Sequence, residues 1–307
     1  MPKDAPAPVA PSEFTGAPAN TEMPPLSPGF QLARAALIMV FMLTLTLLLQ
    51  LTLIGGLQQF AAQERKFDEF RSQLATGTAP IGPTDNQNRA LAIGAPIAYL
   101  EIPDLGLRQL VVEGTTSGAL FSGPGHRRDT MLPGQVGTSI IIGRAASFGG
   151  SFGDIDQLEA GDEIVVTTGQ GEYEYEVIGV RREGEPVPPP AQAGSSRLVL
   201  ATADGRPYLP EGVLRVDADL VGEAVVGPDR AFSSATLPAS EQFMGGDTAT
   251  LWALVLWIQV LIALSLGSVW AWHRWGHAQA WVVFLPPLLL VGLATSSQVA
   301  RLLPNLL

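Results

Sequence analysis

The fold class this sequence predicts is mainly β, a barrel or sandwich held by one membrane helix before it and two after it. Three observations predict it. From about Pro96 to Gly222 short β-rich runs such as "TSIIIG" and "RLVLAT" alternate with Gly/Pro turns, with little helical period between them. Three other stretches, Ala35–Ile54, Leu251–Trp272 and Trp281–Val299, are apolar over about 20 residues, enough to cross roughly 30 Å of hydrocarbon as helices. The 307-residue chain is 47% hydrophobic but only 15% charged, room for one core plus spans.

Taken in order, residues 1–33 are rich in Pro and Ala and lack a periodic apolar pattern, so they are expected to be a disordered tail. Residues 34–56 read as the first transmembrane helix. Residues 57–94 read as a stalk helix and linker, with Leu57, Phe60, Phe67, Phe70 and Leu74 on one stripe that could pack on a partner helix or on the chain's own domain. Residues 95–222 hold the β domain. In it a turn at Gly169–Gly171 precedes the alternation Glu172, Tyr173, Glu174, Tyr175, Glu176, Val177, the period of a half-buried hairpin strand. Residues 223–249 read as a second linker. Residues 250–272 and 279–300 then form two further spans, the first with Trp252, Trp257, Trp270 and Trp272 towards its ends. Arg34, before the first span, and "HRWGH", between the last two, mark the cytoplasmic side. The β domain is then extracellular and the N-terminus cytoplasmic, at the cell membrane.

Composition excludes several chemistries. Lys and Arg number 18 against 29 Asp and Glu, a net charge of −11, so a nucleic-acid partner is not expected. The chain has no cysteine, hence no disulfide and no thiolate. Its three histidines are His126, His273 and His277, too few within the β domain for a multi-histidine metal site. The acids Asp154, Asp156, Glu159, Asp162 and Glu163 fit no EF-hand spacing. Neither metal nor cofactor is expected.

Five pieces, "IPDLGL", "VVEGTT", "GPGHRRDTMLPGQVG", "FGGSFGDIDQLEAGDEI" and "LVLATA", follow one another in an order that resembles the sortases. These are the cysteine transpeptidases of Gram-positive cell surfaces, and the likeness is greatest to the class E-like members of actinobacteria. It covers about 125 residues and implies a closed eight-stranded β-barrel, a form that leaves no exposed sheet edge. It also implies where the family's reactive groups would stand. Arg144 in "GRAASFGG" falls at the His position, and Ala203, ending Val199–Ala203, falls at the Cys position. The family's Arg falls on Val213 without gaps, or on Arg215 with a two-residue shift. An alanine supplies no nucleophile, and a guanidinium remains protonated and is no base. The expectation is therefore no enzyme but a sortase-like pseudoenzyme, whose groove binds or scaffolds an envelope protein or peptide.

Arg144, Asp204, Arg215 and His126 are the residues expected to face that ligand, with Arg144 paired to Asp204. His126 is expected at the surface or cleft edge of the "GPGH" turn, and Arg127 and Arg128 in solvent. Two alternatives stand beside this reading. One is a hydrolase or transpeptidase with a hydroxyl nucleophile, for instance Ser147 with His126 and Asp204; strand alternation turns Thr202 to the other face. The other is a membrane subunit acting through its spans and stalk helix.

Overall fold

A computed structural model describes residues 28–85, 87 and 89–307. The tail expected over residues 1–33 lies outside the described residues as far as Ser27. The fold divides into two units, 1–40 and 41–307. Described residues of the first are helical from Pro28, as the start of α1 (Pro28–Leu49).

In the second unit α1 runs through a π-helical turn, Gln50–Ile54, into α2 (Gly55–Thr76). Eight strands follow: β1 (Pro96–Ile102), β2 (Leu107–Glu113), β3 (Gly125–His126), β4 (Gly137–Ile142), β5 (Glu163–Thr168), β6 (Gly171–Arg181), β7 (Ser196–Arg206) and β8 (Leu209–Val221). They close into a barrel in the order β1-β2-β3-β4-β7-β8-β6-β5. The pairs β2·β3 and β4·β7 are parallel, and the others antiparallel. A short helix, α3 (Ser117–Leu120), is capped by Thr116, whose hydroxyl accepts from the Ala119 amide.

Side-chain alternation decides what fills the barrel. Tyr173, Tyr175 and Val177 of β6 are buried, while Glu172, Glu174 and Glu176 between them are exposed. The interior cluster includes Leu100, Val166, Tyr175, Leu198, Leu200 and Val216. Each such side chain contributes about 1.5–3 kcal/mol by leaving water. The Tyr175 hydroxyl reaches Ser196 at 3.0 Å and accepts from the Gly134 amide at 2.6 Å, so this polar tip is satisfied.

α2 lies along β1 and β2 by part of the stripe the sequence suggested, with Phe67 5.2 Å from the Tyr99 ring. Leu57 and Phe60 are exposed, whereas Phe70 is buried beside Leu110. Two glutamines add hydrogen bonds to the contact. Gln63 accepts from the Leu110 amide at 2.6 Å and donates to the Leu110 and Ser122 carbonyls, and Gln59 donates to Gln109 at 2.8 Å.

Beyond the barrel α4 (Leu251–Trp275) and α5 (His277–Leu302) form an antiparallel pair joined at Gly276. With the helix ahead of the barrel they make three helices long and apolar enough to cross a membrane. Pro286 and Pro287 lie inside α5, as transmembrane helices tolerate. The hairpin returns the chain to where it left the barrel. The Asp247 amide donates to the Arg301 carbonyl at 2.9 Å, and a Cβ on Gly246 would come within 2.6 Å of the Leu302 carbonyl oxygen. That approach requires glycine.

Candidate functional site

The outward face of β4, β7 and β8 forms a groove. The register pairs Ala203 with Val213, Ala201 with Arg215 and Ala201 with Ile142, so these side chains share one face. Ile142, Ala201 and Val213 form a cluster separate from the barrel interior, with Ala203, Ile140 and Phe243 against it. Thr202 points the other way, 2% exposed. The strand end carrying Ala203 is thus an apolar floor, and both Val213 and Arg215 stand on it.

Residues after β4 close one end. Arg144 follows the strand and is 1% exposed. Its guanidinium donates to Ser147 Oγ at 2.9 Å, to Ser117 Oγ at 2.7 Å and to the main-chain carbonyl of Leu307 at 2.9 Å. Ser147 Oγ donates to the same Leu307 carbonyl. The stacked rings of Phe121 and Phe148, centroids 3.9 Å apart, lie 5.0 and 5.4 Å from the guanidinium carbon. Phe148 adopts φ +50°, an uncommon value for a bulky residue. Burial pushes the Arg144 pKa down to about 9. No Asp or Glu side chain is paired with Arg144 among the described residues; two hydroxyls and the Leu307 main-chain oxygen hold it. Two donors converging on one carbonyl oxygen polarise it, the arrangement that steadies negative charge during acyl transfer.

The expected Arg144–Asp204 pair is corrected: Asp204 lies 3.4 Å from Arg182 on the exposed rim. His126 is no edge residue either. It is buried in β3, with Nδ1 2.9 Å from Glu113 Oε2 and Nε2 2.9 Å from the Met131 carbonyl. Parallel pairing of β2 and β3 sets Glu113 opposite His126. Burial acts to lower the His126 pKa, but the Glu113 charge and hydrogen bond outweigh it, and the net shift is upward. Arg127 and Arg128 are not in solvent. They chelate Asp129 and Glu241 respectively. The Ser147, His126 and Asp204 side chains have separate partners and form no triad. Arg215 stacks 5.2 Å over Phe243 beside a cavity of about 570 Å³, lined also by Thr138, Arg181, Arg197 and Asp217. The expected ligand-facing set therefore divides: Arg144 and Arg215 belong to the groove, Asp204 to its rim, and His126 to a buried pair. The acid cluster is not gathered for a cation. Among the described residues no group of three or more His, Asp or Glu is placed to hold one.

Two parts of the groove carry no signal in the sequence. Residues 239–245, expected as linker, strap one side: the Glu241 carbonyl accepts from Thr115 Oγ1 at 2.7 Å, and Phe243 lies under both Arg127 and Arg215. Residues 303–307 fill the floor. Leu306 is fully buried in the Ile142–Ala201–Val213 cluster, and its carbonyl accepts from the Ala145 amide at 2.9 Å.

Residues 100–209 match the sortase domain family. Sortase D of Bacillus subtilis (strain 168) is 28% identical over 120 residues, 38% of this chain and 58% of that protein. Sortase A of Bacillus anthracis is 30% identical over 122 residues, 39% of this chain and 58% of that protein. The alignments thus span under three fifths of these relatives' length. Among solved structures, a sortase D5 transpeptidase of Clostridium perfringens is similar at 22% identity and TM-score 0.44, covering 53% of this chain and 99% of that one. The expectation of a pseudoenzyme is corrected by these findings: the matched domain and both relatives are those of an enzyme family.

Proposed function

We infer that this chain, a member of the sortase family through residues 100–209, is a membrane-anchored surface protein that holds an extended peptide of an envelope partner along β4, β7 and β8. The observation that carries this reading is the pentapeptide Leu303–Leu307, seated on that face with its last carbonyl between Arg144 and Ser147. A floor of Ile142, Ala201, Ala203 and Val213 suits an apolar side chain, as it does Leu306. The buried guanidinium and hydroxyl suit a main-chain carbonyl, which they would polarise as peptide transfer requires. With the basic "HRWGH" turn inside, the barrel and groove face outward and the N-terminus is cytoplasmic.

Photocrosslinking in whole cells tests it. A benzophenone amino acid at position 203 should form adducts with a defined peptide of an envelope protein or with the chain's own residues 303–307. One at Glu174, exposed on β6, should form neither. Equal adduct patterns from both positions, or lipid adducts alone at 203, would sink the reading.

A further inference from the structure

The segment in the groove is the chain's own, and the fold is arranged to deliver it. The α4–α5 hairpin brings residues 301–305 back to the strap from which α4 departs. Asn305 Nδ2 donates to the Ser240 and Gln242 carbonyls at 2.8 Å each, and its amide donates to Gly245 at 2.9 Å. Leu306 then enters the apolar floor, and Leu307 meets Arg144 and Ser147. We propose that Leu303–Leu307 is a built-in competitor, an autoinhibitory segment that an incoming peptide must displace. This rests on the peptide-binding reading above.

One feature separates a displaceable occupant from a permanent part of the core: its seat is polar and imperfectly matched. Arg144 Nε and Asn305 Oδ1 are buried without a hydrogen-bond partner among the described residues. The segment is also no strand of the barrel, which closes in the order β1-β2-β3-β4-β7-β8-β6-β5 without it. A tethered segment acts at a high effective concentration, so a free peptide of equal intrinsic affinity is outcompeted until the tether is weakened. Apparent affinity falls in proportion to the fraction of open groove.

The test uses the full chain in lipid nanodiscs and a fluorescent, end-blocked peptide of sequence LLPNLL, that of residues 302–307. Fluorescence anisotropy compares the unaltered chain with Asn305→Ala and with Leu306→Asp, each checked for an unaltered melting profile of the barrel. Both variants should bind the peptide at least about tenfold more tightly than the unaltered chain. Equal affinity in all three overturns the competitor while leaving a peptide groove in place. Binding by none of them overturns the groove reading, and the competitor with it. If Leu306→Asp fails to fold, Asn305→Ala alone decides, because it removes only the two bonds to the strap.

Discussion

Two buried charges in this barrel are handled in opposite ways. His126 meets a carboxylate: Glu113 opposes it across β2 and β3, and both side chains are at most 3% exposed. Arg144 is buried as deeply and meets two serine hydroxyls and the carbonyl of a segment some 160 residues away. A charge matched by its opposite on a neighbouring strand belongs to the scaffold. A guanidinium with no Asp or Glu side chain beside it, at the end of a groove seating residues 303–307, is held by contacts from outside the barrel.

The largest effect should come from breaking the matched pair. Glu113→Ala leaves a buried imidazole with no acid and should cost about 3–5 kcal/mol, read as a lower midpoint in denaturant. A loss below about 1 kcal/mol would mean that the pair is not a scaffold element. Arg144→Met should do far less, within about 1 kcal/mol of the unaltered protein or more stable, because it removes a buried cation that no Asp or Glu side chain neutralises and keeps the volume. A loss as large as that of Glu113→Ala would make both charges scaffold and end the contrast.

pH separates the two with opposite signs. The His126 pKa is raised in the fold, so its stabilisation is complete below about 6.5 and fades as pH rises through the folded value. The Arg144 pKa is lowered to about 9, so above that pH the unfolded chain holds more protons there and this group's contribution rises. Subtracting the pH profile of Arg144→Met from that of the unaltered protein should leave an upward slope above pH 9. A flat difference would contradict its burial as a cation.

The barrel was legible because its signals are local. Alternation in "EYEYEV" places Tyr173 and Tyr175 inside, and the same period turns Ala201, Ala203 and Val213 outward together. The positions of Arg144 and Ala203 beside the groove follow from the motifs around them. What the sequence hid depends on distant partners. Glu113 and His126 are 13 residues apart, and only parallel pairing makes them neighbours. Arg128 finds Glu241 in a strap that reads as linker because it has no apolar period. Gln59 and Gln63 dock α2 through hydrogen bonds, which a hydrophobic stripe cannot report. Residues 303–307 gave no sign of their seat, since five residues have no periodicity and Asn305 in a buried site is the opposite of what composition favours.

The chain has no cysteine, so one introduced thiol reports on one position without background. Leu306→Cys, in the full chain in nanodiscs, tests most directly whether the groove is filled by residues 303–307. Its reaction with a membrane-impermeant maleimide should be at least about tenfold slower than that of Val226→Cys, which is 84% exposed, and adding Asn305→Ala should speed it. Equal rates at the two positions, unaffected by Asn305→Ala, would show the segment free of the groove and contradict the account.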